Sequence, residues 1–120
     1  MKKSIYEQSY FDATCDAILK METQAGDWNK NPDNRQISIC KESSDIQKAL
    51  DRGDLALVHS VEGAHSLQDN SAKSYPHDIS ESYRSKERAV LNNLDRLYDL
   101  GVAYLTLAHF YPNDCVYPVF

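Results

Sequence analysis

The chain has 120 residues, 42% of them hydrophobic and 26% charged, with a formal charge of −5. That composition supports one modest hydrophobic core. The acidic balance and the lack of a basic cluster argue against nucleic acid, whose binding rests on clustered Lys and Arg. No apolar run reaches the roughly 18 residues of a transmembrane segment, and no charged-then-apolar leader opens the chain.

Cys15, Cys40 and Cys115 are odd in number and widely spaced, with no Cys-x-x-Cys. A disulfide scaffold and a structural zinc site are both poorly supported, and free or buried thiols are expected.

Tyr6 to Glu22 reads as a helix, with Phe11, Cys15, Ile18 and Leu19 on one apolar stripe. Thr23 to Asn34 holds Gly26, Pro32 and several Asn and Asp residues, so a loop is expected. Gln36 to Cys40 fits a short strand or an extended loop equally well. Ser44 and Gln47 have capping-box spacing, and a short helix then runs to Arg52 and stops at Gly53. Strand, helix and strand over so short a span predict a right-handed parallel unit.

Leu55 to Glu62 is the next strand. Ala56, Val58, Ser60 and Glu62 share one face, and Leu55, Leu57, His59 and Val61 the other. Both faces are largely apolar or small, which suits a parallel strand covered on two sides. A carboxylate ending such a strand is costly to bury uncompensated. The C-terminal ends of parallel strands are also where barrel and open α/β enzymes place their chemistry.

His65 to Ser85 is polar and reads as an exposed loop, either covering a site or a plain insertion. His77 within it is expected to be exposed. Lys86 to Leu100 is the clearest helix, with Val90, Leu94, Leu97 and Tyr98 as its stripe and Gly101 as a left-handed cap. A strand from Val102 then ends on His109. The tail Phe110 to Phe120 is loop-like, but its aromatics and valines need a surface to cover them.

Val61-Glu62-Gly63-Ala64-His65 and Leu100-Gly101-Val102-Ala103-Tyr104-Leu105-Thr106-Leu107-Ala108-His109 follow one another across a single helix. Together they resemble two segments of the membrane (renal) dipeptidase family of the amidohydrolase superfamily. Ala64 stands where that family has a second Gly, and Ala103 where it has Arg. The resemblance implies an α/β fold: part of a (β/α)8 TIM barrel whose parallel strands end at Glu62 and His109. A whole barrel takes roughly 250 residues. Residues 1–120 are therefore expected to be a single segment, the central part of a longer domain.

The resemblance also implies a zinc-dependent hydrolase that cleaves dipeptides or similar small amides through a metal-bound hydroxide. Glu62 would bridge two zinc ions, one carboxylate oxygen to each. His109 would contact substrate and polarise the scissile carbonyl. His65 would orient Glu62 or its loop from behind. His59 faces the helix side of its strand and is expected to be structural. The family's other ligands include a His-x-Asp, which this sequence lacks. The chain alone is thus expected to be inactive. A homo-oligomer stays open, as does the compartment. The rival expectation is a small non-catalytic α/β module that binds a ligand or a protein partner.

Overall fold

The computed structural model describes residues 9–67 and 79–108. The chain folds as a mixed α/β structure in the order α1 (Tyr10–Trp28), β1 (Ile37–Ile39), α2 (Ser43–Arg52), β2 (Leu55–Leu57), β3 (His59–Glu62), a 3-10 turn (Ala64–Leu67), α3 (Ile79–Asp99) and β4 (Val102–Thr106). The strands form two parallel pairs, β1 with β2 and β3 with β4.

α1 begins at a buried Ser9, whose hydroxyl accepts the Asp12 N–H at 3.0 Å. It runs on to Trp28, well past the end at Glu22 that apolar periodicity predicts. The buried stripe does not stop at Glu22. It continues at helical spacing through Ala25, which is buried, to the half-buried Asn29 that caps the helix. Glu22 and Asn29 are polar, so a hydrophobic pattern does not register them, yet tertiary partners satisfy both. Leu19, predicted on the stripe, is 44% exposed.

α2 starts two residues earlier than expected. Glu42 is its N-cap, and Asp45 rather than Gln47 supplies the capping carboxylate. Asp45 accepts the N–H groups of Lys41 and Glu42, each at 3.2 Å. These backbone hydrogen bonds, Lys41 first, hold its carboxyl below the ordinary value. Gly53 ends the helix in the left-handed region at φ 78°. Arg35 then closes the turn into β2, donating to the carbonyls of Gly53 at 2.7 Å and Asp54 at 3.2 Å. Ser38 of β1 and Arg52 of α2 both donate to Asp54, at 2.7 and 2.9 Å.

The expected single strand Leu55–Glu62 is interrupted at Val58. The cause is stagger between its neighbours. β1 runs beside only the first half, with Ile37 opposite Leu55 and Ile39 opposite Leu57. β4 runs beside only the second half, with His59 opposite Val102 and Glu62 opposite Thr106. Between His59–Val102 and Ser60–Tyr104 the register slips, so that Ala103 is the extra residue of a bulge.

α3 starts at Ile79 and so takes in the last part of the stretch expected to be a loop; residues 68–78, His77 included, lie outside the described ones. Its Leu97 is 1% exposed and joins Ile18, Val61, Ala64, Leu67 and Leu100 in the main core. Burying a leucine this completely stabilises by about 1.5–3 kcal/mol. Asn93, also buried, donates from its side chain to the Leu67 carbonyl at 2.8 Å, fixing the 3-10 turn against α3. Leu94 and Tyr98, expected on the buried stripe, are 41% and 79% exposed. Among the described residues no helix is long and apolar enough to cross a membrane.

Candidate functional site

β3 alternates as its sequence predicts. His59 and Val61 are buried, and Ser60 and Glu62 are exposed. In a strand this puts Glu62 on the face turned away from the core. The parallel register places Thr106 of β4 directly beside it. Both residues end their strands, at the same C-terminal edge.

The chain does not leave β4 after Glu62. The Gly63 N–H donates to the Thr106 carbonyl at 3.1 Å and to the Thr106 hydroxyl at 2.7 Å. The Ala64 N–H then donates to the Leu107 carbonyl at 3.1 Å. Gly63 itself sits at φ 87°, a conformation side chains other than glycine's rarely adopt. Glu62 is therefore clamped by β4 both before and after its own position.

His65 stands in the 3-10 turn, half-buried, its ring in a T-shaped contact with that of Tyr10 at the start of α1 (centroids 5.4 Å apart, planes at 86°). This contact ties the segment after Glu62 to α1. β4 ends as a strand at Thr106 rather than running to His109, and His109 lies outside the described residues, as do the tail and Cys115.

On the opposite face, His59 is 2% exposed. Its Nε2 lies 3.3 Å from Glu22 Oε1, and the Lys41 ammonium reaches the same oxygen at 3.8 Å. Among the described residues Nδ1 of His59 has no hydrogen-bond partner. Donation from Nε2 to the carboxylate fits that arrangement, because a proton on Nδ1 would be a buried donor without an acceptor. Lys41 also lies across Gly101, in the turn between α3 and β4. The cluster thus joins α1, the end of β1, the start of β3 and the α3–β4 turn. Sequence reading found His59 structural but missed Glu22 as its partner. The available signal was the helical spacing of Glu22 from Ile18 and Ala25.

A groove of about 350 Å³ lies between α3 and β4, with Leu94, Tyr98, Tyr104 and Leu105 on its walls. Glu62 is not among its lining residues. Among the described residues, no group of three or more His, Cys, Asp or Glu could hold a metal ion. Cys15 and Cys40 are free thiols, and burial pushes the Cys15 thiol up from its ordinary value.

Compared with known proteins, the chain matches no family model, no curated protein and no solved structure.

Proposed function

We propose that this chain carries part of the active site of a zinc-dependent, dipeptidase-like hydrolase built on a (β/α)8 barrel. One observation supports it above the others. Glu62 is an exposed carboxylate ending a parallel strand, and the neighbouring strand is followed, three residues past Thr106, by His109. The family the sequence resembles has a metal-bridging glutamate and a substrate-contacting histidine in this order.

Glu62 has the chemistry of a bridging ligand: two oxygens, a negative charge and a clamped backbone. It supplies one side chain only, so the remaining ligands must come from elsewhere in the protein that contains this segment. Zinc, when bound, supplies Lewis acidity and a means of generating a nucleophile. Glu62 would be one of the residues that hold the metal, and its charge would offset part of the cation charge. His109 provides an N–H for the oxygen of the substrate carbonyl. The substrate class is a dipeptide or a similar small amide.

The test is metal analysis and dipeptide hydrolysis by the protein that contains this segment, with and without Glu62→Gln. Glutamine keeps the length of the side chain but removes its charge and one of its two ligating oxygens. Metal content and turnover are expected to fall together. Full metal content with near-normal turnover would refute the metal role of Glu62. Coding sequence on either side that lacks a His-x-Asp and histidine-bearing strands would favour a non-catalytic binding module.

A further inference from the structure

We propose that Thr106 is a positioning residue that aims the Glu62 carboxylate by holding the Gly63 amide. The proposal rests on the assignment of Glu62 to a metal site.

In a parallel pair, one backbone acceptor per amide completes the ladder. The Gly63 N–H has two acceptors on the same residue, the Thr106 carbonyl at 3.1 Å and the Thr106 hydroxyl at 2.7 Å, and the hydroxyl is the closer. A carbonyl contact at this point would be available to any residue at 106. The hydroxyl contact is available only to Ser or Thr.

Its location gives it consequence. The amide it holds belongs to the peptide unit that leaves Glu62, at the junction where the backbone turns to φ 87°. Thr106 is also the register partner of Glu62, so the two side chains rise from the same face of the β3–β4 pair. With one lone pair engaged by Gly63, the hydroxyl keeps a proton to donate on the face that carries the carboxylate. Removing the hydroxyl leaves the strand pairing in place and takes from the Gly63 amide the closer of its two acceptors, which loosens the Glu62–Gly63 peptide.

The experiment uses nuclear magnetic resonance of the isotopically labelled 120-residue chain, with Mn²⁺ as the probe. Paramagnetic broadening reports occupancy even when binding is weak. Four proteins are compared: the parent chain, Glu62→Gln, Thr106→Val and Thr106→Ser. In the parent, Mn²⁺ is expected to broaden the Glu62 and Gly63 amide signals, and Glu62→Gln to abolish this. Thr106→Val is expected to make the Gly63 amide exchange about tenfold faster, the scale of one lost hydrogen bond. It should also cut the Mn²⁺ broadening at Glu62 several-fold, while the Val61 and Leu105 signals stay where they are. Thr106→Ser should restore both.

An unchanged Gly63 amide in Thr106→Val overturns the proposal. So does a perturbed Gly63 amide with unchanged broadening at Glu62, or a loss of the Val61 and Leu105 signals that Ser does not repair. Equal broadening in Glu62→Gln and the parent refutes instead the metal role of Glu62. The exchange of the Gly63 amide would still report separately on Thr106.

Discussion

The side chain of Asn29 hydrogen-bonds both backbone groups of Ile37, accepting its N–H and donating to its carbonyl, each at 2.8 Å. β1 pairs with β2 along its other edge, so the amide stands in for a missing strand at the start of the outer edge. An unpaired edge is an aggregation risk, and covering it is a recognised remedy. Asn29→Ala is expected to cost about 1–3 kcal/mol, because two half-buried backbone groups lose their partner. Asn29→Asp keeps the acceptor but sets a carboxylate against the Ile37 carbonyl, and should recover little. Chemical denaturation of both variants measures this.

Gly53 and Gly101 both cap helices in the left-handed region, at φ 78° and 83°, yet their surroundings differ. A Cβ at Gly53 would meet nothing within 4 Å; at Gly101 it would lie 2.5 Å from Lys41 Cγ. Gly53→Ala should therefore show only the conformational cost, about 1–2 kcal/mol. Gly101→Ala should lose more, and Lys41→Ala in the same background should return the excess. A double-mutant cycle on unfolding free energies gives the coupling.

Asp54 accepts from the Ser38 hydroxyl and from Arg52, and these hydrogen bonds, the hydroxyl's first, hold its carboxyl below the ordinary value of 3.8. A depressed folded value means that the group stabilises the fold above the unfolded pKa. That contribution is lost as pH falls through the lowered folded value. Asp54→Asn should lower the melting temperature near neutral pH and narrow its gap to the parent below about pH 4. Melting curves from about pH 2 to pH 7 test the sign. A gap that widens on acidification would contradict the assignment.

The isolated chain should bind Zn²⁺ only weakly. Catalytic sites use about three protein ligands and structural ones about four, whereas the described residues offer no such group. Calorimetry on the chain and on Glu62→Gln checks this. Tight stoichiometric binding would reveal ligands elsewhere in the sequence.

On the proposed hydrolase reading, His109→Ala should behave differently from Glu62→Gln. Metal content should remain, while turnover falls on the order of 100- to 1000-fold, as when an oxyanion-hole donor is lost. Metal analysis beside dipeptide hydrolysis separates the two roles. Loss of metal in His109→Ala would make that residue a ligand instead.

The sequence by itself determined the local elements. The helix ended by Gly53, the helix ended by Gly101 and the alternation around Glu62 were legible, because side-chain period and left-handed glycines are local properties, whereas Ile37–Ile39 fitted a strand and an extended loop equally well. The parallel pairing of β1 and β2 also followed from a strand, a helix and a strand in succession. Tertiary structure decided the rest. α1 runs on to Trp28 because Glu22 and Asn29 find partners on β3 and β1, which no hydrophobic pattern records. The strand breaks at Val58 because its two neighbours are staggered, a relation between segments far apart in the chain. The hydroxyl of Thr106 became significant only once register set it against Gly63, 43 residues away. Hydrogen bonds between distant segments leave no period in the sequence, so the fold had to be assembled before they could be seen.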